Sequence, residues 1–323
     1  MWQTAIFYKF DLLKFFMYDI IGDVHGEANL LKKLLQKMGY EKVKGSYSHP
    51  ERKAVFVGDF INRGPEIRKT IRTVRSMVEA GNAKAILGNH EINAIIYHLK
   101  DKQGSLLVKK PSKYYLSLYK TINEFSLNSQ EWKDTLRWLR TLPLSLDLGD
   151  VRIVHACWEE EAVKAANENF IDGKFSKKIF RKVHKKSEAE ITKSIWLLTK
   201  GVYLKMPSDL HVRNNKGVTP RSFRIEWWED PRGKTFNGLS FESKFKLPNY
   251  TIPPEILPNV HPYPEDAPIL FFGHYCRGNG PIIVKNNICC VDSCVTGTGK
   301  LTAYRWNGEK VLLPENIVQV SKK

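Results

Sequence analysis

Cysteine is scarce and unpatterned: five residues in 323, with Cys289, Cys290 and Cys294 crowded together and no pair of CxxC units. That excludes a zinc ribbon or finger, which needs such pairs. An odd count with no secretory pattern points to reduced thiols and a cytoplasmic setting. Long apolar runs are also missing. Residues 1–16 are apolar and aromatic, but Lys9, Asp11 and Lys14 interrupt them, which rules out a membrane span or a signal-peptide core. No internal repeat or low-complexity tract occurs. Acidic residues run short, 34 against 51 basic, for a net charge of +17. Such a field attracts phosphorylated substrates and holds nucleic acid non-specifically. Because the charge is widely spread, it reads mainly as solvated surface. The aromatic residues form no recognisable stacking platform, so specific nucleic-acid binding is not favoured.

What the chain does have is a series of apolar strands that each end in a metal-ligand residue type. The first is Tyr18-Asp19-Ile20-Ile21, which stops at Gly22 and presents Asp23 and His25 before Gly26. A helix follows from Glu27 to Met38, with Leu30, Leu31, Leu34 and Leu35 on one face. Lys53 to Val57 runs into Gly58-Asp59-Phe60-Ile61-Asn62-Arg63-Gly64, and Ala83 to Leu87 runs into Gly88-Asn89-His90-Glu91. Val151 to Val154 ends in His155, and Ile269 to Phe272 ends in Gly273-His274. In α/β proteins ligands bind at the carboxyl ends of strands. Asp, Asn and His are the ligands a borderline-hard divalent cation takes.

Gly22-Asp23-x-His25-Gly26, Gly58-Asp59-x-x-Asn62-Arg63-Gly64 and Gly88-Asn89-His90-Glu91 together resemble the signature of the calcineurin-like metallophosphoesterases. Within them the chain is most similar to the phosphoprotein phosphatase branch, with its bacterial protein-phosphatase-like and diadenosine tetraphosphatase-like members. Cys290-Val291-Asp292-Ser293 and Gly299 to Ala303 resemble the bacterial members' last two strands. The resemblance implies an α/β fold: a calcineurin-like αββα sandwich of two mixed sheets with flanking helices. It implies a binuclear centre of two divalent ions, Mn²⁺ first, with Fe or Zn²⁺ as alternatives. Asp23, His25 and Asp59 would hold one ion; Asp59, Asn89, His155 and His274 would hold the other. Arg63 and Asn89 would contact the substrate phosphate, and His90 would act as general acid. The reaction implied is phosphoester hydrolysis by direct attack of metal-bound hydroxide on a phosphoprotein, a nucleotide-type substrate or a nucleic-acid end. A symmetrical dinucleoside tetraphosphate hydrolase is an alternative within that class.

Met17 stands just before the first strand, so residues 1–16 read as an extension or a misassigned start, and 17–323 as one domain. Between about 158 and 268 the composition shifts. Lys174 to Lys186 carries seven basic residues, and the stretch from Pro207 onward is rich in Pro, Asn and aromatics. This reads as an insertion that shapes the substrate mouth. Arg221 and Arg224, ahead of Trp227-Trp228, resemble the family's second phosphate-binding stretch. Pro65 opens a helix continuing through Ile67, Ile71, Val74 and Val78 to Gly81. Tyr114 to Leu142 also reads as helical, with Trp132, Leu136, Trp138 and Leu139 in the core. Cys157 reads as a small packing residue rather than a ligand.

One residue departs from the family's pattern. The second motif normally ends Asp-Arg-Gly, and that Asp orients the catalytic His and keeps it protonated; Asn62 replaces it here. The ligand set is complete, so an enzyme is the favoured reading. The alternative is a catalytically weakened, metal-bound protein that recognises phosphorylated partners.

Overall fold

The computed structural model describes residues 17–108, 113–126, 129–207, 221–241, 247–258, 260–276 and 282–322. The N-terminal stretch 1–16 lies outside them. Strands β1 (Met17–Ile21), β2 (Arg52–Phe56) and β3 (Ala83–Ala85) pair in parallel, joined by helices α1 (Ala28–Lys37) and α2 (Ile67–Glu79). This is the strand–helix–strand unit that requires a crossover. After β3 come α3 (Asn89–Tyr97), α4 (Lys113–Phe125) and α5 (Gln130–Leu139). The expected single helix from Tyr114 to Leu142 is therefore two. Ser126 adopts φ 62, and the Ser129 hydroxyl accepts a hydrogen bond from Trp132 N at 3.2 Å, which caps a fresh helix start.

A second sheet begins with β4 (Ser145–Asp147) and β5 (Val151–Val154). The inserted region follows as α6 (Glu160–Glu168), α7 (Lys177–His184) and α8 (Glu190–Lys200), then a hairpin of β6 (Tyr203–Lys205) and β7 (Ser222–Arg224). Strands β8 (Ile269–Phe272), β9 (Ile282–Lys285) and β10 (Ile288–Cys290) complete the second sheet. The chain then returns to the first through β11 (Lys300–Trp306) and β12 (Ile317–Ser321). The two five-stranded sheets have the orders β12-β11-β1-β2-β3 and β9-β10-β8-β5-β4, each mixing parallel and antiparallel pairs.

Alternation along the strands sends neighbours to opposite faces. Ile20, Val55, Ile153, Phe271 and Tyr304 fill the space between the sheets. Ile21 and Phe56 face the other way and pack with the Leu30–Leu34 and Ile67–Ile71 stripes of α1 and α2. Behind the second sheet, Phe272 meets Trp227 and Trp228 at ring distances of 5.3 and 5.4 Å, so both tryptophans are core. The result is the expected αββα sandwich. Among the described residues, no helix is long and apolar enough to cross a membrane.

The first sheet is anchored at its end remote from the ligand-bearing loops. Asp19, fully buried, takes Arg52 Nε at 2.9 Å and Arg305 Nε at 3.1 Å. Removing one member of a buried ion cluster strands the others without a countercharge. Asp19→Asn is expected to destabilise the fold by about 3 kcal/mol in urea unfolding while leaving metal content unchanged. An unaltered midpoint would show that the cluster contributes nothing.

Candidate metal centre

The parallel strands β1, β2 and β3 of one sheet and β5, β8 and β10 of the other deliver their carboxyl ends to a common edge. Asp23, Asp59, Asn89, His155, His274 and Asp292 all follow those ends. The loops carrying them are tightly joined. His25 N donates to Asp59 O at 2.8 Å, Gly26 N to Phe60 O at 2.8 Å, and Gly64 N to His25 O at 2.8 Å. Several site residues are held in the left-handed region: His25 (φ 46), Asp59 (φ 53), Asn62 (φ 70), Arg63 (φ 61) and His274 (φ 61). Non-glycine residues there carry strain that the surrounding contacts must hold.

Asp59 lies at the centre with its two oxygens facing opposite ways. Oδ2 lies 3.6 Å from His25 Nε2 and 3.9 Å from His90 Nε2; Oδ1 lies 3.5 Å from His155 Nε2 and accepts His90 N at 3.0 Å. Two ligand clusters result, His25–Asp59–His90 and Asp59–His155–His274, each with its ligand atoms within 4.8 Å of one another. Asp23 turns its carboxylate to the backbone N–H of His274 at 3.3 Å. Asn89 Oδ1 lies 3.2 Å from His155 Nε2.

The donor set fits cations. His25 donates Nδ1–H to Ile61 O at 3.0 Å and His155 donates Nδ1–H to Val57 O at 2.7 Å, so both present Nε2 inward. His155 Nε2 then meets only acceptor oxygens, from Asn89 and Asp59. His274 Nε2 is buried with no hydrogen-bond partner among the described residues. Burial opposes ionisation of Asp59, but the surrounding His155, His90 and His25 hold its carboxyl well below the usual range. Burial and then Asp292 push Asp23 upward. Clustered carboxylates and inward imidazole lone pairs are what a divalent ion would relieve.

Asn62 stands where the departure from the family was noted. Its backbone N–H donates to Thr121 Oγ1 at 3.2 Å, and that hydroxyl donates to Asn62 Oδ1 at 2.6 Å. With the oxygen so engaged, Nδ2 faces His90 Nδ1 at 2.6 Å. Arg63 Nη2 lies 3.3 Å from the other ring nitrogen of His90. A neutral imidazole accepts at only one nitrogen. Both neighbours are donors, so a neutral His90 accepts from one of them at a time; accepting from Asn62 at Nδ1 leaves the proton on Nε2. Burial pushes the His90 pKa down to about 4, more strongly than Asp59 raises it, and Arg63 lowers it further.

Arg224 donates through Nη1 to His274 O at 3.0 Å and lies over the rings of Phe241 and Tyr275. Arg221 is exposed, and its carbonyl accepts Met206 N. A cavity of about 610 Å³ opens onto Arg63, Asn89, His90 and His274.

Three residues here had no assigned role in the sequence reading. Asp292 follows β10 as the candidate ligands follow their strands, a pattern that could have marked it. Thr121 lies far away in the chain, on α4, and carries no local signal. Glu91, fully buried, accepts Asp59 N and Gly88 N through Oε2 and Phe60 N and Ile61 N through Oε1, at 2.9 to 3.3 Å. Its position as the third residue of a helix is a capping-box signature.

The cysteines differ from expectation. Cys276 and Cys294 form a disulfide with Cα atoms 5.1 Å apart, because the loops after β8 and β10 are neighbours. Cys157, Cys289 and Cys290 are free and buried.

The chain belongs to the calcineurin-like phosphoesterase family, which it matches over residues 18–278; members of this family bind divalent metals. An asymmetrical bis(5'-nucleosyl)-tetraphosphatase of Halalkalibacterium halodurans is 49% identical over 74 residues, 23% of this chain and 30% of that protein. The chain thus spans under a third of the length of the first such relatives. A symmetrical bis(5'-nucleosyl)-tetraphosphatase of Vibrio campbellii is 27% identical over 301 residues, 90% of this chain and 96% of that protein. Among solved structures, the cold-active protein-tyrosine phosphatase of a Shewanella species is 16% identical. It covers 90% of this chain and 75% of its own, with a TM-score of 0.48.

The Glu91 contacts generate a direct expectation. Glutamine offers one acceptor oxygen and an NH₂ that would face backbone N–H groups. Glu91→Gln should weaken metal binding by about 10- to 100-fold, read by titration calorimetry on chelator-stripped protein. Wild-type affinity would show that the loops hold themselves.

Proposed function

We propose that this protein is a metal-dependent phosphohydrolase whose best substrates are nucleotide-type phosphoanhydrides, dinucleoside polyphosphates foremost. The observation that carries the reading is Asp59, whose two oxygens each face a separate histidine cluster. Asp23, His25 and Asp59 would hold one cation; Asp59, Asn89, His155 and His274 would hold the other. Mn²⁺ suits this mixture of carboxylate, amide and imidazole, and Fe or Zn²⁺ would also be accepted. Bound cations would supply charge neutralisation for phosphate oxygens and a more acidic water.

The chain's own groups supply the rest. Arg63 offers a planar fork to the non-bridging oxygens. His90, protonated at Nε2, faces the cavity and would give its proton to the departing oxygen. Arg224 positions His274 through the carbonyl it binds, and its place beside the site supports it over Arg221 as the second arginine. The inserted region would shape the mouth: Lys200 and Tyr203 border the cavity with Tyr119 and Lys120. Exposed tyrosines beside lysines suit a base stacked next to a polyphosphate, and the relatives named for bis(5'-nucleosyl)-tetraphosphates agree with that chemistry.

Asn62 supports the preference for anhydrides. A neutral His90 with its acceptor nitrogen on an amide is a weak acid, so groups that leave easily should suffer least. Metal-loaded protein is expected to turn over diadenosine tetraphosphate and an aryl phosphate faster than phosphoserine peptides, and excess chelator should abolish all three activities. Failure on the aryl phosphate, which needs little help from His90, would favour the phospho-recognition reading. Asn62→Asp should raise alkyl phosphate turnover by at least about tenfold, up to the roughly 10²–10⁴-fold typical of general-acid help, and leave aryl phosphate turnover nearly unchanged. Equal alkyl rates in the two proteins would mean that another group orients His90.

A further inference from the structure

A second cavity, also of about 610 Å³, lies at the opposite end of α3 from His90. His98, just past that helix, borders it, eight residues or about 12 Å of helix from the metal centre. Its rim is cationic: Lys100, Lys133, Arg137, Arg140, Lys177 and Arg181, against the single carboxylate of Asp101. Asp101 is already committed to its own loop, accepting Gln103 N at 2.9 Å and Ser105 N at 2.8 Å. Arg137 pairs with Asp134, but no carboxylate among the described residues pairs with the other five.

The spacing of these charges makes the arrangement costly without a ligand. Lys133, Arg137 and Arg140 fall at i, i+4 and i+7 along α5 and its C-cap, and Lys177 and Arg181 at i and i+4 on α7. Like charges at such spacing destabilise a helix, and here both rows face one concavity, where the field is focused. The walls are fixed: Arg181 donates to Lys100 O at 2.9 Å and Arg140 to Phe175 O at 3.2 Å. Both ring nitrogens of His98 are engaged, with Ala94 O and with Trp132 Nε1, so it adds a flat neutral surface. The floor is apolar, formed by Ile95, Leu99, Leu106 and Leu136.

We propose that this cavity is a binding site for a nucleoside polyphosphate, separate from the metal centre. The lysines and arginines would hold the phosphate chain, by charge-assisted hydrogen bonds from several directions, and the leucine floor and His98 would cover the base. The volume suits one small molecule, as in typical ligand cavities of about 300–1,000 Å³, rather than an extended peptide or polynucleotide.

The test is calorimetric titration of the full, metal-loaded chain with a non-hydrolysable β,γ-imido analogue of ATP and with inorganic tripolyphosphate. It is run on wild type and on Lys133→Glu/Lys177→Glu; both lysines are exposed. Wild type should show a binding event that the double variant weakens by at least about tenfold, while aryl phosphate turnover and melting temperature stay near wild type. The nucleotide should bind more tightly than tripolyphosphate despite its lower charge, because only it can use the floor. If the reversal lowers the melting temperature, the milder Lys133→Ala/Lys177→Ala pair should still weaken the event. Affinity unchanged in either variant, tripolyphosphate binding as tightly as the nucleotide, or tighter binding of an acidic peptide would each overturn the proposal.

Discussion

The candidate metal centre depends on one buried carboxylate outside the proposed ligand set. Glu91 gathers the N–H groups of Asp59, Phe60, Ile61 and Gly88, and so fastens the loop after β2 to the start of α3. Asp59, Asn62 and Arg63 all sit on that loop with positive φ. Backbone of this kind relaxes unless held, and the bonds to Glu91 hold it. Close approach makes the same demand. A Cβ on Gly88 would lie 2.2 Å from Asp59 Oδ1, and one on Gly58, itself at φ +102, would lie 2.5 Å from Gly88 N. Glycine at both positions lets two ligand loops meet at van der Waals contact.

From this junction the rest of the architecture follows as support. The sandwich brings parallel strand ends from two sheets to one edge, so candidate ligands far apart in sequence converge without any long loop. Asp19 with Arg52 and Arg305 ties the first sheet at its other end. The inserted region covers the back of the second sheet through Trp227 and Trp228 and sends Arg224 to the His274 loop. Stability and function are thus separated along the strands, with the ion cluster at one end and the strained loops at the other.

Much of this was legible in the sequence because each motif is local: an apolar strand, a glycine, then Asp, Asn or His. The fold class, the helical stripe of α1 and the strands ending at Val154 and Phe272 could be read that way. Features resting on contacts between distant segments could not. Thr121, on α4, sets the Asn62 amide, and nothing near either residue in the chain announces the pairing. The Cys276–Cys294 bridge, set against an expectation of reduced thiols, exists because β8 and β10 are adjacent in a sheet. Asp292 repeated the visible strand-end pattern, yet its place beside Asp23 requires the ends of β1 and β10 to meet across the two sheets, where Gly22 packs against the Val291 carbonyl. The break between α4 and α5 was local, but the hydrophobic period ran across it and masked the Ser129 cap.

The central claim is that Asp59 stands between two cations. Anomalous diffraction from crystals of the full chain grown with Mn²⁺ tests it directly. Two peaks are predicted, both in contact with Asp59, one also against Asp23 and His25 and the other against Asn89, His155 and His274, about 3.5–4 Å apart. A single peak, or a pair of which either lies out of reach of Asp59, would contradict it.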